Sequence, residues 1–402
     1  MNNFPKVILN SGKENSLLRF HPWVFSGAIK KISDHKGDSL KPEEGEIVEV
    51  YSSSGQFLAI GHFQIGSISV RCFSFEKVNP NYGFWKGRIE SAYNLRKTLN
   101  LVNNNETNVY RLINAEGDLL PGLIIDYYNG VAVMQTHSIG MHFLKDDFAR
   151  ILKEVYGDKL VAVYDKSDET MPKQAKIHVE NKWWFKEVSS NEVIENNCKF
   201  NVDWVSGQKT GFFIDQRENR LLLQHYCKGK SVLNTFCYSG GFSVYALKAQ
   251  ASLVHSVDSS KKAIDLTEQN VKLNFTEGNP NHESFAVDTF TFLKDKENIY
   301  DVIVLDPPAF AKHQNVKHNA VKGYKRLNAE AIKLIKPGGI LFTFSCSSVI
   351  DKALFNSTVM AAAIISGRSV RILHQLHQPP DHAINIFHPE NEYLKGLVLQ
   401  IE

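Results

Sequence analysis

The spacing of apolar and polar positions changes character twice along this chain. Through about residue 75 the apolar runs are short and β-like, at residues 6–9, 46–51, 57–63 and 67–72, each closed by Gly or polar turn residues. They predict a small β-barrel or sandwich over residues 1–75. Residues 84–101 switch to helical spacing, with Ile89 and Tyr93 on one face, and read as a connector after a boundary near residue 76. Between residues 110 and 204 the pattern predicts strands around a helix. Gly130 turns the run 123–125 into 131–134, residues 141–156 form an amphipathic helix, and 193–195 with 198–204 make a hairpin around Asn196 and Asn197. The polar stretch 165–174 reads as a loop. The result is a central α+β domain over residues 76–204.

From residue 205 to 402 helical segments alternate with buried runs at 231–234, 253–257, 284–287, 302–305, 340–345, 384–387 and 396–401. Such alternation predicts a Rossmann-like α/β domain with a mostly parallel seven-stranded sheet. The last two runs are joined by a short polar link, so they should pair antiparallel at one edge.

Composition narrows the function classes. A chain of 402 residues exceeds one ordinary core, in keeping with three domains, and no apolar run reaches the ~20 residues that cross a bilayer. The opening residues lack the apolar core of a signal peptide, and five cysteines spread from Cys72 to Cys346 build no disulfide framework, so a reducing cytoplasm is expected. No Cys-x-x-Cys or His-x-x-x-His combination assembles, and no metal site is expected. With a net charge of +3, a nucleic-acid partner must be argued from local clusters.

Chemistry concentrates after the strands of the last domain. Asn234 ends the first, and the turn carrying Phe236, Tyr238, Ser239, Gly240 and Gly241 follows; adjacent glycines let a ligand approach the backbone. Asp258, eighteen positions beyond Gly240, ends the next strand, where a carboxylate suits a ribose diol. Asp288 follows the third and suits an adenine amine. A dinucleotide site wants three spaced glycines at this turn. Two adjacent ones favour S-adenosylmethionine, with these residues as its contacts.

The fourth strand runs into Asp306-Pro307-Pro308-Ala309-Phe310, which puts a carboxylate, a stiff turn and an aromatic face at the ligand-binding edge of an open sheet. A proline-stiffened loop is the plain alternative. The fifth strand ends at Cys346, whose thiol should emerge at the same edge. Thiolate addition at carbon 6 of a pyrimidine activates carbon 5 for methylation, with Asp306 assigned to ring nitrogen 3. Cys237, inside the cofactor turn, competes for the nucleophile's role and reads instead as packing. Lys312, Lys325 and Arg326 form a basic cluster past the Asp306 turn, fit for phosphates or for a solvated helix face. His21 and Trp23 offer stacking in the first domain, although Trp23 equally fills a small core.

These residues sit in runs that resemble the bacterial large-subunit rRNA cytosine-5 methyltransferase family: KENSLLRFHPWVFSG at 13–27, SGQKTGFFIDQRENR at 206–220 and HPENEYLKG at 388–396. The resemblance spans nearly the whole chain. It implies a PUA-like RNA-binding domain at the N-terminus, a class I methyltransferase domain at the C-terminus, S-adenosylmethionine as cofactor and ribosomal RNA as partner. It further implies that Thr210, Gly211, Phe213, Asp215 and Arg217 lie near the cofactor. Many RNA cytosine-5 enzymes carry a second cysteine after the proline of the Asp306 motif; here Pro308 and Ala309 stand there. From the residues alone, an amino-group methyltransferase and a non-catalytic RNA-binding assembly factor also remain open, and a homodimer is compatible with a chain of this kind.

Overall fold

The first seventy-odd residues give strands β1 (Lys6–Leu9), β2 (Trp23–Phe25), β3 (Ile29–Ser33), β4 (Ile47–Tyr51), β5 (Phe57–Phe63) and β6 (Ile68–Ser74), with a one-turn helix α1 (Asn15–Leu18). The computed structural model describes residues 4–172, 177–188, 192–276, 278–294, 298–311 and 316–402. The six strands form one sheet in the order β2-β6-β5-β4-β1-β3, in which only the β1–β4 pair is parallel. Alternation in β4 and β1 turns Val7, Leu9, Val48 and Val50 onto one apolar core with Val24 and Val70.

Asn81 then caps α2 (Tyr82–Thr98), its side chain accepting from Phe84 N, and the helix buries Trp85, Ile89 and Ala92. These pack on a five-stranded sheet of β7 (Val109–Asn114), β8 (Leu123–Tyr128), β9 (Val131–Thr136), β10 (Ala162–Asp165) and β11 (Lys182–Trp184), ordered β11-β10-β9-β8-β7. Asn129 and Gly130, both at positive φ, make the tight β8–β9 turn. Helices α3 (Ile139–Phe143) and α4 (Lys145–Tyr156) follow β9. Gly140 is required there: a Cβ would stand 2.1 Å from Cγ of the buried His62.

The hairpin of β12 (Glu192–Glu195) and β13 (Cys198–Asn201) turns at Asn196 and Asn197, with φ of 47° and 62°. Next come α5 (Arg217–Gln224), β14 (Ser231–Thr235), α6 (Gly241–Lys248), β15 (Leu253–Asp258), α7 (Lys261–Asn274), β16 (His282–Ala286), α8 (Thr289–Leu293), β17 (Tyr300–Leu305), α9 (Lys317–Leu334), β18 (Ile335–Ser345), α10 (Lys352–Ser366), β19 (Val370–Leu376) and β20 (Lys395–Ile401). The sheet runs β16-β15-β14-β17-β18-β20-β19, parallel except for the two pairings of β20. The strand order reverses beside β14, and open α/β sheets hold ligands at the carboxyl ends of strands at such a reversal.

One predicted strand is corrected. Residues 384–387 form no strand; the seventh strand is β19, residues 370–376. The 380s are instead tied to the five-stranded sheet by hydrogen bonds running both ways: Asn114 Nδ2 donates to the Ala383 backbone O at 2.9 Å, and the Asp381 side chain Oδ2 accepts from the Arg111 backbone N at 2.9 Å. β19 escaped the pattern because it is an edge strand with a bulge between Ile372 and His374, and Ile372 and Leu373 face solvent.

The described residues divide into two compact units. One comprises residues 1–191, 203–211 and 380–391; the other comprises 192–202, 212–379 and 392–402 and contains the seven-stranded sheet. No helix among the described residues is long and apolar enough to cross a membrane.

Candidate active site at the carboxyl edge of the sheet

Register brings the candidate residues of the second unit together. Thr235 pairs with Leu305 and Leu305 with Thr343, all in parallel strands. The residues that follow, Phe236, Asp306 and Cys346, therefore leave the sheet at the same edge. Two side-chain contacts close the groups up further. Ser347 Oγ donates to Ala311 O at 2.7 Å, tying the turn after β18 to the turn after β17, and Lys395 Nζ donates to Ser347 O at 2.7 Å.

Cys346 stands apart from the other cysteines. Cys72, Cys198, Cys227 and Cys237 are buried, and burial pushes each of their thiols up to about 12; Cys346 alone is partly exposed. A thiol at about 12 carries negligible thiolate at neutral pH. Burial thus disfavours Cys237 as a nucleophile beside the partly exposed Cys346. Two ionisable groups lie within electrostatic reach of Cys346. Burial holds the Lys395 ammonium below the ordinary lysine range, while a negative charge on Cys346 works in the opposite direction. Burial, with smaller contributions from negative charge on Cys346 and Asp306, pushes Tyr324 up to about 12.

Pro307 is buried and Pro308 exposed, as expected where a turn leaves a sheet. Phe310 is half-buried, with its ring 4.7 Å from that of Tyr324, so part of its surface is core. Arg326 lies over the Phe290 ring at 4.8 Å, and Lys325 is half-buried on the same helix, α9. Lys312 lies outside the described residues.

The cofactor turn is built as the glycines require. Gly240 adopts φ 73°, and a Cβ there would stand 2.6 Å from Thr267 Cγ2. Phe236 and Tyr238 also take positive φ. Asp258 fastens this turn, because Oδ2 accepts from Tyr238 N at 3.1 Å and Oδ1 from Ser260 N at 2.9 Å. Asn270 Nδ2 holds Ser239 O at 2.8 Å. Asn234 donates to Ser243 Oγ at 2.9 Å, and its buried Oδ1 has no hydrogen-bond partner among the described residues. That acceptor at the end of β14 fits a cofactor with an ammonium donor. Asp288 caps α8, with Oδ1 accepting from Thr291 N at 3.0 Å.

Residues of the 206–220 run fall in both units. Phe213 meets Tyr238 of the cofactor turn edge-on at 5.1 Å, and Asp215 Oδ2 accepts from Tyr393 at 2.8 Å. Arg217 is buried beside Glu218, 3.2 Å from its carboxylate. Arg220 makes a two-pronged pair with Glu195, both contacts at 2.8 Å, and also donates to Phe213 O at 3.0 Å. Thr210 and Gly211 belong to the first unit, where Thr210 Oγ1 donates to Asp126 Oδ2 at 2.5 Å. His21 and Trp23 also lie in the first unit. Trp23 Nε1 donates to Glu116 at 2.8 Å, and the Arg71 guanidinium covers the ring at 5.3 Å.

Lys395 and Tyr393 were not singled out as site residues from the sequence; the signal was the run 388–396, which contains both.

Comparison with known proteins agrees with this architecture. Residues 174–392 match the family model of S-adenosylmethionine-dependent methyltransferases, and residues 7–75 match the PUA-like domain model. S-adenosylmethionine is accordingly the cofactor. Among solved structures, a candidate SAM-dependent methyltransferase from Streptococcus mutans superposes with a TM-score of 0.82 at 22% identity, covering 98% of this chain and 99% of that one. A methyltransferase structure complexed with SAH gives a TM-score of 0.82 at 23% identity, again covering 98% and 99%. At such identities these two speak for the fold. Sequence relatives go further. The ribosomal RNA large subunit methyltransferase I of Aeromonas hydrophila is 39% identical, with 98% of each chain covered, and that of Vibrio vulnificus is 36% identical over 98% of this chain and 99% of its own. With a methyltransferase sheet, a PUA-like sheet and full-length identity at this level, the chain belongs to the ribosomal RNA large subunit methyltransferase I family.

Proposed function

We propose that this chain methylates carbon 5 of a cytosine in large-subunit ribosomal RNA through a transient bond from Cys346 to the base. The observation that carries the reading is the setting of Cys346. It is the one cysteine of five with solvent access, it stands at the sheet edge that also carries Asp306, and Lys395 Nζ bonds the carbonyl of the next residue, Ser347.

Cytosine carbon 5 is a poor nucleophile until carbon 6 receives an electron pair. Cys346 thiolate adds at carbon 6, the ring 5,6 double bond opens, and its electron pair becomes available at carbon 5. Asp306, in its acid form, donates a hydrogen bond toward ring nitrogen 3 and steadies the charge built up there. Lys395, next to the sulfur, favours the thiolate by Coulomb attraction. Bound S-adenosylmethionine supplies an electrophilic methyl on sulfonium. Loss of the carbon 5 proton to a base then returns the electrons and expels the thiolate, restoring the enzyme and the aromatic ring. Asn234, Tyr238 and Gly240 at the turn, with Asp258 behind them, shape the donor side. Phe310 and the two prolines bound the base side. A base inside a duplex hides carbon 6 from a thiol, so the target is unpaired or flipped out. The reading places the activity in the cytoplasm, where ribosomal RNA and reduced thiols meet.

The test uses the full chain, methyl-labelled S-adenosylmethionine and protein-free large-subunit rRNA, with nucleosides resolved by mass. The expected product is 5-methylcytidine, absent with Cys346→Ala. Label on an exocyclic amine, or undiminished transfer by Cys346→Ala, would replace this reading with amino-group methylation. No uptake of S-adenosylmethionine would favour an assembly factor.

A further inference from the structure

Within the first unit, the turn at residues 388–391 returns beside the N-terminal sheet and sets His388 and Glu390 against His21. One ligand atom from each of the three lies within 4.8 Å of the other two. The Glu390 carboxylate reaches both rings: Oε1 is 3.4 Å from His21 Nε2, and Oε2 is 2.9 Å from His388 Nδ1. The second contact is close yet out of line for a ring N–H. Neither nitrogen of His388 has a hydrogen-bond partner, although the side chain is 0% exposed.

A fully buried imidazole with both nitrogens unsatisfied is costly, and native structures rarely keep one without a ligand to complete it. The walls around it are already fixed. The Trp23 ring stands 4.3 Å away edge-on, the His21 ring 5.2 Å, and Trp23 is held by its bond to Glu116. Among the described residues, no hydrogen-bond partner serves either nitrogen. Two imidazoles and one carboxylate, converging on a common point from separate segments, form the donor set of a divalent first-row ion.

We propose that His21, His388 and Glu390 bind one divalent transition-metal ion of the zinc class. The ion completes the coordination of His388 and clips the 380–391 segment to the N-terminal sheet. Two imidazoles favour zinc-like ions over calcium or magnesium, which take all-oxygen sets. Three protein ligands leave a fourth position for water or for an oxygen donor from outside the chain. The site belongs to the first unit and does not depend on the methyl-transfer chemistry proposed above.

The test is zinc uptake by the full-length protein after stripping with a chelator, measured by competition with a chromophoric zinc indicator. The side-chain environment is then read from the visible spectrum of the cobalt-substituted protein. The expected result is one equivalent bound, with affinity about tenfold or more weaker in both Glu390→Ala and His388→Phe, and a cobalt spectrum that those variants lose. Glu390 is half exposed, so its variant keeps the test sound even where His388→Phe misfolds. No zinc uptake by the stripped wild type, or equal uptake by wild type and Glu390→Ala, would overturn the proposal.

Discussion

The Arg220–Glu195 pair offers a quantitative check on how the second unit holds its cofactor-side run. The side chains are 3% and 0% exposed. Arg220 spends two contacts on Glu195 and one on Phe213 O, and Tyr245 donates to Glu195 at 2.9 Å. Changing Glu195 to Ala leaves a buried guanidinium bonded to Phe213 O and strips Tyr245 of its carboxylate. Removing one partner of a buried pair costs about 3–5 kcal/mol. For a unit of this size about 1 kcal/mol moves the midpoint by roughly 2–4 °C, so a fall near ~10 °C is expected. The double change Glu195→Leu with Arg220→Met removes both charges and should recover most of that loss. Thermal and urea unfolding of wild type, Glu195→Leu, Arg220→Met and the double variant measures the coupling, with Glu195→Ala compared alongside. If Glu195→Ala lies within about 1 kcal/mol of wild type, water reaches the pair, and the claim that it braces β12–β13 against α5 and Phe213 fails.

Four further outcomes are expected. Lys395→Met, nearly isosteric, should slow iodoacetamide alkylation of Cys346 at neutral pH several-fold, and an unchanged rate would remove the ammonium from the thiol's surroundings. Gly240→Ala forces an L-residue to φ 73° against Thr267, and calorimetry should show weaker S-adenosylmethionine binding together with about 1–2 kcal/mol of lost stability. His62 is buried and held at about 4, so the unfolded chain binds the extra proton between roughly pH 6.5 and 4. Its contribution is full above the unfolded value and falls by up to about 1.4 kcal/mol per pH unit as pH drops through that window; His62→Leu should flatten the urea-midpoint profile there. Asp306→Asn should lower kcat strongly while S-adenosylmethionine affinity changes little, and unaltered kcat would exclude a proton at ring nitrogen 3.

What the sequence revealed and what it hid divide along physical lines. Buried parallel strands were legible because their apolar runs are continuous, and the carboxyl edge with Asp306, Cys346, Gly240 and Asp258 followed from where those runs stop. The edge strand β19 was not, since its side chains meet solvent and a bulge breaks its alternation. Residues 384–387 misled for the opposite reason: hydrogen bonds to distant elements, not pairing with a neighbouring strand, hold the nearby chain. The polar start of the stretch 165–174 is buried, because Lys145 meets Asp165 at 3.0 Å, and burial of a paired charge leaves no apolar trace in sequence. The spacing argument against a metal could not see His21 beside His388, residues joined only by the fold. Lys395 hid likewise, as one lysine among many until its ammonium is placed beside Cys346.

The central claim is that the sulfur of Cys346 bonds to the target base. Substituting 5-fluorocytidine into the RNA replaces the proton whose loss releases the enzyme, so the adduct persists after methyl transfer. Mass spectrometry of the digested complex should find the nucleotide on the peptide containing Cys346, dependent on S-adenosylmethionine. Full turnover without any protein–RNA species, or attachment at another residue, would contradict it.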